Sequence, residues 1–68
     1  MKLEYDKDAN AAYIYLESKI KNGEVKKTIE LNDNIILDFD VNGKLLGFEI
    51  LNANEVLNEK TLLESNIN

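Results

Sequence analysis

Residues 38–49, DFDVNGKLLGFE, carry oxygen-bearing side chains at the spacing of a calcium-binding EF-hand loop. The matching residues are Asp38, Asp40, Asn42, Gly43 and Glu49. An EF-hand loop holds calcium because it coils around the ion between two helices. The segments on either side here, NIIL and LLGFEI, resemble strands and are poor helix candidates. We therefore predict a β-hairpin over this stretch.

A weaker cation site is the alternative for the same carboxylates. In the hairpin, Glu49 lies diagonal to Asp38 at about 7 Å, within side-chain reach. Asp40 lies about two further residue pairs from Glu49, more than about 10 Å by the strand rise. The oxygens that calcium requires do not converge from these residues alone. A site at Asp38 and Glu49, with Asp40 beside it, would need water or a second chain to complete it.

The composition argues against enzymatic chemistry. The chain contains no histidine, no cysteine and no arginine, so the usual bases, thiolate nucleophiles and anion clamps are missing. A catalytic carboxylate pair needs one member in an environment that shifts its pKa, whereas Asp38, Asp40 and Glu49 are predicted to face solvent. We expect a non-enzymatic protein without catalytic residues and without a cofactor.

The charge balance also limits the classes of partner. The formal net charge is −5, and every basic residue is a lysine, which disfavours nucleic acid as a partner. Four lysines concentrate in residues 19–27, at positions Lys19, Lys21, Lys26 and Lys27. They are interpreted as a solvated loop and strand edge, where lysines discourage aggregation. A phosphate-binding patch is the alternative.

The sequence predicts a cytoplasmic chain that forms one domain over residues 1–68. Its first residues, MKLEYDKDAN, lack the apolar run of a signal peptide. No stretch reaches the length needed to cross a bilayer, so no membrane association is expected. The absence of cysteine agrees with a reducing compartment.

Apolar periodicity predicts an α+β fold. The expected architecture is an antiparallel sheet of four to five strands, a meander of hairpins, with one C-terminal helix packed on one face. The predicted strands cover about residues 2–5, 12–18, 25–31, 35–41 and 44–50, and the helix covers about residues 54–64. Asn52 and Glu55 resemble a capping box at the start of that helix. Residues 66–68 are expected to fray.

The central hairpin is the most specific structural prediction. Asn42-Gly43 suits a type I′ turn, which needs positive φ at both residues. Folding about this turn places three apolar pairs on one face: Phe39 with Leu46, Leu37 with Phe48, and Ile35 with Ile50. The preceding link is predicted to be residues 32–34, with Asn34 in the left-handed position.

The face of the sheet opposite the helix is not uniformly polar. Tyr13, Tyr15, Ile36 and Leu45 are predicted to project there among carboxylates. Apolar anchors inside a polar rim are typical of an interface, although plain exposure of such residues is also ordinary. Because a chain of 68 residues builds only a small core, we predict self-association or an unidentified protein partner.

Two segments, YDKDANAAYIYLE and VKKTIELNDNIILDFDVNGKLLGFEILNA, resemble domain-of-unknown-function family 2283 over about residues 3–54. The recurring elements are Tyr5-Asp6, Tyr13, the Asp38-x-Asp40 pair, Asn42-Gly43 and the closing GFEILNA. Phe48 and Asn34 depart conservatively from the aliphatic and glycine common there. The resemblance implies short, mostly bacterial proteins in which D-x-D-x-x-G forms strand and turn. It implies no activity and no catalytic residues.

Overall fold

The structure is a computed structural model that describes residues 1–67. Six strands and two short helices follow one another along the chain. The strands are β1 (Lys2–Asp6), β2 (Ala11–Tyr15), β3 (Lys27–Glu30), β4 (Ile35–Phe39), β5 (Leu45–Leu51) and β6 (Asn66–Ile67), and the helices are α1 (Ala53–Val56) and α2 (Glu59–Leu63). No helix in the described residues has the length and apolar character to span a bilayer.

The strands form one sheet in the order β3-β4-β5-β2-β1-β6, and β1 to β5 are all paired antiparallel. The predicted α+β fold with an antiparallel sheet is thus confirmed. One detail of the meander is wrong, because β2 pairs with β5 and not with β3. Residues 16–26 therefore cross from the middle of the sheet to its edge. The expected frayed tail is also corrected, since β6 pairs in parallel with β1 at residues 66 and 67; Asn68 lies outside the described residues.

The helices lie on one face of the sheet, here called the core face. Its buried cluster consists of Ala12, Ile50 and Ala53, with further apolar side chains packed against it: Leu3, Tyr5, Ile14, Ile35, Phe48, Leu57 and Leu62. These residues come from β1, β2, β5, the first residue of β4 and the helical segment. The helices thus cover the part of the sheet around β1, β2 and β5.

The predicted single helix is divided in two, because Leu57 adopts an extended conformation. A new helix starts at Asn58, whose side chain accepts a hydrogen bond from the Thr61 amide at 2.9 Å. The predicted capping box is wrong, since Asn52 makes no side-chain cap and has a left-handed φ of 53°. Its side-chain amide instead donates to Asn34 Oδ1 at 3.0 Å, across to the β3–β4 turn.

The hairpin between β4 and β5 is confirmed, although its turn is not the predicted type I′. Only Gly43 has positive φ, at 78°, and Asp40 and Lys44 close a three-residue loop through their backbone at 2.9 Å. The Asp40 carboxylate accepts from the Asn42 and Lys44 amides at 2.8 and 2.9 Å, which favours this longer loop.

The pairing along this hairpin is confirmed away from the turn and shifted next to it. Leu37 pairs with Phe48 and Ile35 with Ile50, as predicted, but a bulge places Leu45 opposite Phe39. Leu46 is the extra residue and is almost fully buried. The longer loop and the bulge compensate for each other, so the core-face alternation of residues 46, 48 and 50 is preserved.

Asn10 ties the first hairpin to α1. Its φ of 51° lies in the left-handed region, and its carbonyl accepts from the Ala53 amide at 2.9 Å. The side-chain oxygen of Asn10 accepts from the Tyr5 hydroxyl and the Asn54 amide at 3.1 and 3.0 Å. One asparagine therefore fixes where the helical segment leaves the sheet.

The link between β3 and β4 has the predicted three residues, 32–34, and Ile29 pairs with Leu37 across it. Asn34, however, is not left-handed. The turn is closed instead by the Asn32 side chain, which accepts from the Asn34 and Ile35 amides at 2.8 and 2.9 Å.

Candidate functional site

The face opposite the helices, here called the second face, carries a row of polar contacts that crosses four strands. The Tyr13 hydroxyl on β2 donates to Asp38 on β4 at 2.7 Å. The other oxygen of Asp38 accepts from the Thr28 hydroxyl on β3 at 2.8 Å. Tyr13 reaches Asp38 by passing over Gly47, the residue of β5 that pairs directly with Asp38. The row therefore links β2, β5, β4 and β3.

Gly47 makes room for this crossing. A Cβ atom at residue 47 would lie 2.7 Å from the Tyr13 ring and 2.6 Å from the carbonyl oxygen of Ile14. Since one of these contacts is to backbone, a side chain at residue 47 cannot be accommodated by moving Tyr13 alone. The glycine is required by the close approach of β2 and the tyrosine ring.

The contacts of Tyr13 affect its ionisation. Burial raises the pKa of Tyr13 far above its ordinary value, and the hydrogen bond to Asp38 raises this pKa further because it favours the neutral phenol. Tyr13 is thus a neutral donor that holds the Asp38 carboxylate. The hydrogen bond between Tyr13 and Asp38 is therefore a structural contact between β2 and β4.

The other predicted interface residues are also partly covered. Tyr15 packs against Tyr13 with ring centroids 4.7 Å apart, and the Lys2 ammonium lies 4.8 Å from the Tyr15 centroid. The neighbouring Glu4 carboxylate raises the pKa of Tyr15. Ile36 is half-buried, and Leu45 is 36% exposed at the start of β5. The second face is thus a compact aromatic and charged surface, and its proposed role as an interface stays a prediction.

The three carboxylates of the calcium pattern have different surroundings. Asp38 binds two hydroxyl groups, and Asp40 binds amides of its own turn. Glu49 pairs with Tyr13 and lines a shallow depression on the second face together with Glu4, Asp6, Ala9, Ala11, Ala12 and Tyr13. Among the described residues, no three acidic side chains are placed to hold a metal ion. A weak site at Asp38 and Glu49 stays a prediction, which a calcium titration followed by amide NMR shifts tests directly.

The lysine-rich segment 19–27 contains acidic groups as well as lysines. The Glu24 carboxylate accepts from the Lys21 amide at 2.9 Å, and the same carboxylate raises the pKa of the neighbouring Glu17. Lys26 and Lys27 lead into β3 and are exposed. The four lysines therefore divide between a loop and the sheet edge. Whether they bind phosphate stays a prediction.

A third surface was not singled out from the sequence. Val25, Ile29 and Leu31 lie along β3 and its ends, on the side of the sheet that carries the core, and are 37%, 38% and 61% exposed. We call these three residues the uncovered edge. Their alternation with polar residues indicates only that they share one face of a strand, and no local pattern shows whether the helical segment reaches that face. The structure shows that the helices do not reach them.

Comparisons with known proteins find one family and two curated relatives. The family described as "Protein of unknown function (DUF2283)" matches residues 2–54, which exclude α2 and β6. The uncharacterized protein MJ0789 of Methanocaldococcus jannaschii is 40% identical over 58 residues, which cover 85% of this chain and 46% of that protein. The uncharacterized protein YuzE of Bacillus subtilis is 41% identical over 46 residues, which cover 66% of this chain and 36% of that protein.

The chain thus spans less than half the length of these two curated relatives. No solved structure matches it. The family match covers β1 to β5, the turns at Asn10, at residues 32–34 and at residues 41–43, and the start of α1. On this evidence the chain belongs to the DUF2283 family.

Proposed function

We propose that this chain is a non-enzymatic association module that binds protein through the uncovered edge. The observation that carries the proposal is the exposure of Val25, Ile29 and Leu31 beside a core with very few fully buried residues. Exposed aliphatic side chains that cluster along one strand can mark protein interaction sites in soluble proteins. Association would bury what the helices leave open.

The total surface supports the same conclusion. The accessible surface is 4883 Å², whereas a compact monomer of this mass exposes about 4,400 Å². The surplus of about 500 Å² agrees with a chain that covers its apolar surface incompletely.

The uncovered edge is a stronger candidate than the second face. On the second face, Tyr13 is held by Asp38, and Tyr15 lies under Lys2. At the uncovered edge, Leu31 is the most exposed of the three aliphatic side chains. Desolvating such side chains on binding is favourable at about 25 cal/mol per Å². The edge therefore offers more binding energy per residue.

The test compares two double variants with the unchanged protein. Ile29→Lys with Leu31→Lys charges the uncovered edge, and Tyr15→Lys with Leu45→Lys charges the second face by the same amount. Each protein is measured by light scattering over a range of concentrations and is also coupled to a column that is exposed to extract from the source cells. We expect the edge variant to lose an association that the unchanged protein makes and the second-face variant retains.

Circular dichroism confirms that each variant keeps its sheet. A protein bound by the unchanged chain but lost only from the second-face variant would place the interface on the second face and contradict this assignment. A monomeric mass at all concentrations, with nothing retained by the unchanged protein that the edge variant loses, overturns the proposal.

A further inference from the structure

The uncovered edge includes β3, the terminal strand of the sheet. On one side β3 pairs with β4, and Leu31 donates its amide to the Ile35 carbonyl at 2.8 Å. Antiparallel pairing alternates, so the backbone groups of residues 27, 29 and 31 point toward β4. Those of Thr28 and Glu30 therefore point outward. Within the described residues no strand pairs with this side of β3.

From this edge we propose that β3 pairs antiparallel with β3 of a second copy of the chain, about a two-fold axis at Ile29. This inference rests on the proposed function and names its partner. In this register Thr28 stands opposite Glu30 of the second copy, and Glu30 stands opposite its Thr28. Each of these pairs exchanges both N–H···O=C bonds, because the outward groups of the two residues meet. The two sheets then become one.

The charges along the strand fit this register. Lys26 and Lys27 lie at the start of the segment, and Glu30 ends β3. Lys26 directly precedes β3, and its amide donates to the Phe39 carbonyl at 2.8 Å. Antiparallel pairing places Lys26 near Glu30 of the second copy, at about 7–8 Å between backbones, which the long lysine side chain can span. Within the described residues, none of these three groups makes an ion pair of its own.

The same charges disfavour the competing arrangements. Parallel pairing in register would set Lys26 beside Lys26 and Glu30 beside Glu30, and like charges opposite one another are destabilising. A slip by one residue would also move the apolar side chains to the wrong face. Lysines at a strand edge ordinarily prevent pairing with other chains. Here the lysines still permit one pairing, the antiparallel pairing of β3 with β3 of a second copy.

The apolar residues also meet at the axis. Ile29 stands directly opposite Ile29 of the second copy in a non-hydrogen-bonded pair, where side chains approach most closely. Leu31 stands opposite Lys27, whose methylene groups can cover it. An isologous interface requires each patch to fit itself, and this short segment does so through hydrogen bonds, charges and apolar contacts together.

A cross-linking experiment tests the register. The chain has no cysteine, so a single introduced cysteine can form a disulfide only with the same cysteine of the second copy. Ile29→Cys places two thiols across the axis at a backbone distance of about 4.5–5.5 Å, which a disulfide can bridge. Leu31→Cys is the matched control, because its two copies are about 13 Å apart along the strands. We expect mild oxidation to cross-link Ile29→Cys and to leave Leu31→Cys uncoupled.

A charge exchange tests the polar contacts by light scattering. Glu30→Lys, or Lys26→Glu alone, replaces two symmetric attractions by repulsions and should raise the dissociation constant of the dimer about tenfold. The double variant Lys26→Glu with Glu30→Lys restores the pairing with the signs reversed and should recover the dimer. Glu59→Lys on α2 makes the same change in net charge away from β3 and should have no such effect.

The outcomes separate this inference from the proposed function. A monomeric protein that still retains a different protein on its column, in a way that depends on Ile29 and Leu31, overturns the edge pairing and leaves the proposed function standing. A dimer that cross-links through Leu31→Cys as readily as through Ile29→Cys also overturns the edge pairing. A dimer lost on Glu30→Lys and recovered by the double variant supports it.

Discussion

The two halves of the core face differ in what covers them. Around β1, β2 and β5, side chains of α1 and α2 complete a layer in which Ala12, Ile50 and Ala53 are fully buried. Around β3, Ile29 and Leu31 remain exposed. Ile29 and Ile50 have the same side chain, so the difference between them lies in the reach of the helical segment. Burial in this protein is decided by cover and not by composition.

The lesson is that a chain of this length completes one half of its core face and leaves the other half exposed. Small domains bury a smaller fraction of their surface and are correspondingly marginal. Under the proposal above, the covered half supplies the stability of the isolated chain and the uncovered half would supply its capacity to associate. Substitutions in the two halves should therefore differ in their effect on the free energy of unfolding.

The largest difference is expected between two isoleucines. Ile50→Ala removes a buried side chain under the helices and should lower the free energy of unfolding by about 2–5 kcal/mol. This is a large part of the total of about 3–10 kcal/mol expected for a domain of this size. Ile29→Ala, at the uncovered edge, should cost less than about 1 kcal/mol in dilute protein. Urea denaturation of both variants measures the two losses of unfolding free energy. Equal losses would contradict the difference between the covered half and the uncovered edge.

Gly47→Ala tests whether close packing on the second face contributes to stability, as packing in the covered half does. The added Cβ meets the Ile14 carbonyl and the Tyr13 ring, so we expect a loss of about 1–3 kcal/mol. Combining it with Tyr13→Ala should not recover stability, since the backbone contact remains. Recovery in the double variant would show instead that the ring alone imposes the glycine. Urea denaturation again provides the measurement.

Asn10→Ala tests the link that holds the helices over the covered half. It removes the acceptor for the Tyr5 hydroxyl and the Asn54 amide and also strains a left-handed backbone. We expect a loss of about 1–2 kcal/mol. Asn10→Gly is the matched variant, because it keeps the backbone conformation and loses only the side-chain bonds. Its smaller loss would separate the two contributions, and equal losses would assign the effect to the side chain.

The smallest effect concerns alkaline pH. The folded state raises the pKa of Tyr13 above its ordinary value of 10.0, so folding favours the neutral phenol. The corresponding stability is complete below about pH 10 and is lost as the pH rises above it. Tyr13→Phe should make this alkaline loss shallower. Denaturation curves from neutral to alkaline pH would contradict the assignment if this variant followed the unchanged protein.

The sequence was most informative where short-range chemistry and apolar alternation agreed. Leu37–Phe48 and Ile35–Ile50 were predicted correctly, because one dry face permits only one register there. The turn at residues 41–43 was misassigned, since the Asp40 side chain competes for turn amides and extends the loop by one residue. The divided helix followed from Asn58, a cap that periodicity alone does not weigh.

The interface residues could not be ranked from the sequence. Tyr13 and Ile29 both belong to strands with suitable alternation, and nothing local shows that one is held by Asp38 and the other is exposed. These outcomes depend on which strands are neighbours and on how far the helices extend. The position of β2 beside β5 arises from a crossing connection that no local pattern predicts.

Local patterns predicted five of the six strands, the pairs Leu37–Phe48 and Ile35–Ile50, and the resemblance to one family, because alternation and turn chemistry act over a few neighbouring residues. The order of the strands, the contact between Tyr13 and Asp38, and the exposure of Ile29 and Leu31 appear only in the folded molecule. These features join residues far apart in the chain. The first two follow from which strands become neighbours, and the exposure follows from the area that two short helices can cover.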